Sequence, residues 1–218
     1  MKTILKVLVG SRAHGLASET SDYDYKSIYI LPTSEILSIH GAKKYKTVVN
    51  KENKDETIWE LGHFLKLAIK SNPTVLEVFF SPVEMATEEA IELVSLFSSI
   101  WNSIDARNSY LGYARSQKRM LTQKKGNLKK VSVAYLRVLF QGYELLSTGR
   151  ISVNTDNTEI GETLKNWKFS NFDVNEVLKE CDIMENRLLE AFKANPDKKT
   201  NVKEVNNFLL KVRQNNWL

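Results

Sequence analysis

The sequence is poor in the residues that build several common kinds of site. It has one cysteine, Cys181, and three histidines, His14, His40 and His63, scattered along 218 residues. A single cysteine excludes an intrachain disulfide framework and fits a reducing compartment. Without convergent cysteines and histidines there is no ligand set for zinc. Cys181 falls among Val177, Leu178, Met184 and Leu188 at helical spacing, which reads as core packing rather than chemistry. No apolar run approaches a membrane span. The N-terminal Met1-Lys2-Thr3, followed by a short apolar run, lacks the length and cleavage site of a signal peptide. The expectation is a soluble, cytoplasmic protein with no membrane partner. Internal repeats and low-complexity linkers are also missing. The segment Gly10-Ser11-Arg12-Ala13-His14-Gly15 lacks the Gly-Lys-Ser/Thr ending of a P-loop kinase. No Ser-His-Asp spacing for hydrolysis stands out.

What is present is enough apolar sequence, 42% of residues, for a real core in one large or two small domains. Charge is unevenly placed within a net +5. Residues 1–100 carry 11 Lys/Arg against 13 Asp/Glu, and residues 101–218 carry 20 against 13. The excess concentrates in residues 101–130, where Arg107, Arg115, Lys118, Arg119, Lys124, Lys125, Lys129 and Lys130 face Asp105 as the only acid. Such a run is usually a solvated helix face; beside a nucleotide site it suits phosphate.

The chain is organised around Gly10 to Asp24, GSRAHGLASETSDYD. The run Ile4 to Val9 before it has the brevity and β-branching of a buried strand. Gly10-Ser11 suits a tight turn that brings backbone N–H groups close to an anion. Arg12 to Ala17 can make one short helix aimed at the same place. A polar turn from Ser18 follows, and the Ser21 hydroxyl suits holding it. Asp22 and Asp24 then open a second apolar run, Ser27 to Leu31. Two apart on a strand, they share a face. Like charges so placed repel, and a bound divalent cation removes that cost.

Gly-Ser, ten residues, then Asp-Tyr-Asp resembles the signature of the DNA polymerase β-like nucleotidyltransferase superfamily. The full wording, with an Ile-Tyr strand behind it, resembles a bacterial and phage branch of predicted nucleotidyltransferases associated with RNA repair and RNA ligase. Three later stretches are similar to the same branch: Tyr110-x-x-Tyr113-Ala114-Arg115-Ser116-Gln117, the Lys129/Lys130 helix with Arg137, and Tyr143 to Gly149. Together these cover about three-quarters of the chain. One position departs from the pattern: relatives commonly carry His in the Lys-rich helix where this chain has Val133.

The resemblance implies an α+β fold, with a polymerase β-like catalytic domain on a small mixed sheet over residues 1–100. An all-helical domain over 101–218 would clamp substrate. It implies NMP transfer from an NTP, ATP among the candidates, to an acceptor hydroxyl. Two Mg²⁺ would be held by Asp22, Asp24 and a third carboxylate, which is Asp55 with Glu56 as alternative. Hard oxygen donors of this kind suit magnesium rather than zinc. Gly10, Ser11 and Ser21 would hold phosphates. Arg12 would join them or face solvent. His14 would contact nucleotide, or sit behind the site or at the surface. Lys129 or Lys130, with Arg137, would clamp the triphosphate or the acceptor. Glu77 reads as an exposed helix residue, with orientation of the site as the alternative. The acceptor is an RNA 3′ end, with protein AMPylation, a small molecule or a non-catalytic nucleic-acid-binding module as alternatives.

Along the rest of the chain, residues 34–54 suggest a short helix and a hairpin-like excursion. Helical patterns cover 61–68, about 87–97, 129–148, 174–192 and roughly 201–213, and Asn72-Pro73 caps another short helix.

Overall fold

The computed structural model describes residues 1–39, 45–50, 54–170 and 172–218, with the backbone alone at 45–50 and 54. Five strands form one mixed sheet in the order β3-β4-β2-β1-β5. Strand β1 (Lys2–Val9) buries Ile4, Leu5, Val7 and Val9. It pairs antiparallel with β2 (Tyr23–Ile30) on one side and β5 (Val83–Ala86) on the other. Strand β4 (Lys54–Glu60) runs parallel to β2, and β3 (Tyr45–Asn50) lies antiparallel along β4. The short helix α1 (Gly10–Ala13) follows β1, and α2 (Thr33–Ile36) follows β2. The expected excursion therefore holds a helix and a strand, while 40–44 and 51–53 within it lie outside the described residues.

After the sheet come α3 (Leu61–Ala68), α4 (Pro73–Leu76), a 3-10 turn Glu77–Phe80, α5 (Glu88–Ser95) and α6 (Phe97–Ile100). Then α7 (Ser103–Thr122), α8 (Leu128–Thr148), α9 (Gly161–Phe169), α10 (Val174–Ala194) and α11 (Val202–Asn215) complete the chain. The helix starts follow from side chains that satisfy orphan backbone donors: Asn72, Asn102, Asn127, Asp173 and Asn201 each accept an N–H two or three residues on. Helix α8 stops at Gly149, whose φ of 73° is open to glycine at little cost.

Two local expectations change, and one strand is added. The first helix begins at Gly10 itself and ends at Ala13, because the chain turns back at His14 to bond Leu16 N–H to Ser11 O. The helix expected over 87–97 breaks at Leu96 into α5 and α6. Strand β5 had no alternating pattern to announce it, since all four of its residues are exposed.

One continuous apolar cluster runs through both halves, from Ile4, Ile28 and Phe64 to Tyr110, Leu139 and Leu188. Phe64, Phe79 and Phe97 form an aromatic chain across it, with centroids 5.5 and 5.2 Å apart. The last helix returns to the sheet side. Arg213 pairs with buried Glu60 at 2.6 Å, and the Thr33 hydroxyl donates to Arg213 O at 2.6 Å. Glu60 also accepts Gly62 N–H at 2.7 Å, capping α3. Residues beyond 200 thus finish the packing of the first sixty.

Candidate active site

Strand register decides which acids meet. In the parallel β2/β4 pair Asp24 lies level with Asp55, and Tyr25 lies level with Glu56. Level residues of a parallel pair share a face, so Asp24 and Asp55 stand side by side while Glu56 points away. Glu56 is used on that other face, where it accepts from the Ser27 hydroxyl and pairs with Lys6 at 3.5 Å. Asp22 immediately precedes β2 and joins Asp24 on the wall of a cleft of about 500 Å³.

The Gly10 turn sits beneath the carboxylate of Asp24. A Cβ on Gly10 would collide with Asp24 Oδ2, and its φ of +70° independently disfavours any side chain. Ser11 and Ser21 line the cleft above it. The Ser21 hydroxyl accepts Ser18 N–H at 2.8 Å and so closes the polar turn. Arg12 does not face the cleft. Its Nε and an Nη donate to Ser21 O at 3.0 and 2.7 Å, and the guanidinium stacks 3.9 Å over Tyr23. It ties one end of the loop to the other.

Opposite the acids stands the start of α8, which brings Lys129, Lys130 and Arg137 to the cleft, with Val133 between them. The two lysines and the arginine have different surroundings. Among the described residues no carboxylate lies within ion-pair distance of Lys129 or Lys130. Arg137 is engaged with Glu77 at 3.2 Å and Gln141 at 3.2 Å.

Glu77, expected at a helix surface, is 5% exposed. Around it a buried network forms: His14 Nε2 donates to Oε1, Arg137 donates to the same oxygen, and Lys26 reaches Oε2 at 3.3 Å. Burial alone would raise this carboxyl; Arg137, Lys26 and the His14 hydrogen bond outweigh it and hold the group far below the usual carboxylate range. His14 is pushed the other way, down, by burial and by Arg137. Its neutral form, with Nε2 as donor, is therefore favoured, and the ring is buried behind the Gly10 turn with one edge on the cleft.

Asp24 has the opposite electrostatics. Burial, then Asp55, then Asp22 raise its carboxyl, and Lys130 and Lys26 offset this only in part. Among the described residues no three His, Cys, Asp or Glu side chains already converge as a metal cage. Magnesium rarely needs one, because it binds through one or two carboxylates and completes its shell with water and substrate phosphate. A mutually repelling, all-oxygen acidic wall beside the Gly10 turn is a donor set of that kind.

Two features of the site escape the sequence. Lys168, on α9, reaches the cleft and donates to Leu16 O; its only signal is a position after buried Trp167. The segment before α9 braces the loop after Gly10 from behind. Thr155 donates its N–H and its hydroxyl to His14 O at 3.1 and 2.8 Å. Asn154 and Asp156 crowd Gly15 so closely that no Cβ fits there. For Glu77 a signal existed: it is a lone acid inside the apolar run Val75 to Phe80.

The basic block is partly spent on the fold. Lys118 pairs with Asp182 at 2.7 Å and Arg107 lies over Phe192 at 4.4 Å. Arg119, Lys124 and Lys125 are exposed at the α7–α8 turn, next to the lysines of the cleft. Among the described residues no helix is long and apolar enough to cross a membrane.

An uncharacterized 38.9 kDa protein of the nrdC-mobD intergenic region of Enterobacteria phage T4 is 30% identical over 133 residues, covering 54% of this chain and 38% of its own. The uncharacterized protein YcgL of Bacillus subtilis (strain 168) is 35% identical over 83 residues, 38% of this chain and 32% of its own. The chain thus spans about a third of the length of these curated relatives. A nucleotidyltransferase-like protein from Exiguobacterium sibiricum 255-15 aligns over 98% of this chain and 74% of its own, at 9% identity and a TM-score of 0.33, too slight a likeness to argue from. The sequence matches the RNA repair pathway DNA polymerase beta family (RlaP) over residues 1–211. With a Gly-Ser turn seated under Asp24 of β2, and that match spanning nearly every residue, the chain belongs to the RNA repair pathway DNA polymerase beta family and so to the polymerase β-like nucleotidyltransferases.

Proposed function

We propose that the protein transfers a nucleoside monophosphate from an NTP to the 3′-hydroxyl of RNA. The observation that carries this reading is the cleft itself, in which an unneutralised acidic wall faces lysines that no carboxylate matches. A metal–triphosphate complex is the ligand that satisfies both walls at once. Asp22, Asp24 and Asp55 would hold Mg²⁺, which supplies stabilisation of the charge that builds on the attacking and leaving oxygens. In the transfer the acceptor oxygen bonds to the α-phosphorus, the α–β bridging bond breaks, pyrophosphate leaves with the electron pair, and the hydroxyl proton passes to water.

The chain's own residues position the reactants. The Gly10-Ser11 turn presents backbone and hydroxyl donors to phosphate, and Lys129 and Lys130 match its charge. Arg137 acts through Glu77, holding the turn and α8 in one rigid unit. The exposed cations of the α7–α8 turn suit a polyanionic acceptor, and the family's description points to RNA repair. Incubation with each labelled NTP, Mg²⁺ and either RNA or host lysate tests the assignment. Label on RNA 3′ ends is the expected result. Label on one host polypeptide, with no response to added RNA, would replace it by protein AMPylation.

A further inference from the structure

We propose that Lys168 is a triphosphate-binding residue of the cleft, acting with Lys130 to select nucleoside triphosphates over monophosphates. The inference rests on the nucleotidyltransferase reading and adds a residue from α9 that the polymerase-like signature does not contain.

Three observations support it. Lys168 lies on the wall of the same cleft as Ser11, Asp24 and Lys130, although it is 144 residues beyond Asp24 in the chain. Its ammonium is half-buried, and among the described residues it meets the carbonyl of Leu16 and the ring of Phe169 but no carboxylate. Burial and the nearby Lys130 both disfavour its charged form. A structural lysine in a folded protein is normally paired or left in solvent. Holding two ammonium groups near each other, in the cleft that Ser11 also lines, is costly until a polyanion arrives. The anchoring carbonyl belongs to the phosphate turn itself, so Lys168 is already aimed at the end of the cleft where phosphates would lie.

Calorimetric titration of the full chain with ATP and with AMP, each with Mg²⁺, tests this. The wild type should prefer ATP. Lys168→Met should weaken ATP binding about tenfold, as removal of one charge-assisted hydrogen bond does, and leave AMP binding unchanged. Lys168→Arg should keep most of the ATP preference. Thr155→Val serves as the comparison, because it loosens the same turn at His14 O without changing the charge of the cleft. If Lys168→Met weakens ATP and AMP equally, as Thr155→Val should, the lysine merely braces the turn and the proposal fails. Unchanged ATP affinity in Lys168→Met overturns it as well. A wild type that binds neither nucleotide would overturn the nucleotidyltransferase reading first, and this proposal with it.

Discussion

Asp24 and Glu77 are two carboxylates that meet the same turn, Asp24 at Gly10 and Glu77 at His14, and the protein treats them oppositely. Glu77 is the more deeply buried, yet three basic side chains surround it and its charge is held firmly. Asp24 is half-exposed, yet its nearest charged neighbours include two more acids and its charge is disfavoured. A carboxylate whose partners are built in is part of the scaffold. One left among like charges is placed to take its partner from outside, as the proposed function requires. The same division separates Arg137, matched by Glu77, from Lys129, Lys130 and Lys168, matched by no carboxylate among the described residues.

The comparison breaks most sharply at Asp24. Asp24→Asn should lower transfer by several orders of magnitude, as loss of a metal-holding group in a phosphoryl site does. Its effect on stability should have the other sign. A raised carboxyl binds its proton more tightly in the fold than in the unfolded chain, so its ionisation costs stability as pH rises above the ordinary carboxylate value. Without metal at pH 7 the variant should therefore melt no lower than the wild type, and Mg²⁺ with ATP should raise only the wild type's melting temperature. A variant that stays active would show that Asp24 is scaffold after all.

A second test sets Asp55 against Glu56. Asp55→Asn should cost about 10²–10³ in rate, whereas Glu56→Gln, on the opposite face with Ser27 and Lys6, should stay within about tenfold. The reverse ranking would mean that β4 pairs with β2 one residue out of register.

For Glu77 the expected loss is in folding. Glu77→Gln leaves Arg137 and Lys26 buried without a counter-charge, which should cost about 3 kcal/mol, measured by urea unfolding. Here the sign follows from a lowered carboxyl: the stabilisation is present above the ordinary carboxylate value and is lost as pH falls toward the group's much lower folded value. The gap between wild type and variant should therefore narrow in acid. A gap independent of pH would mean that the network's charge contributes nothing.

The smallest effect belongs to the outer cations. Charge reversal at Lys124 and Lys125 should weaken RNA binding for all sequences alike and flatten the log–log salt slope by roughly 0.7 for each phosphate no longer neutralised. Charge reversal at Lys118 should do less, because its ammonium is already paired with Asp182. Equal effects from the two sites would argue for a diffuse basic surface without a defined path to the cleft.

Much of this site was legible before folding because its parts are local. Gly10, Ser11, Asp22 and Asp24 lie within fifteen residues, and a turn's need for glycine and a strand's period of two are short-range rules. The helix limits at Asp173 and Gly149 were readable for the same reason. Long-range register was not. The choice of Asp55 over Glu56 depends on β4 pairing parallel to β2 across thirty residues, and nothing local specifies that pairing. Arg12 had the right charge in the right loop, yet the fold turns it onto Ser21 and Tyr23. Glu77, Thr155 and Lys168 acquire their roles from His14 and Leu16, residues 63 to 152 positions away. The sequence by itself determined which chemical groups would gather around the Gly10 turn. Only the tertiary structure decided which charges are cancelled by one another and which are left for a ligand, because cancellation depends on distance in space.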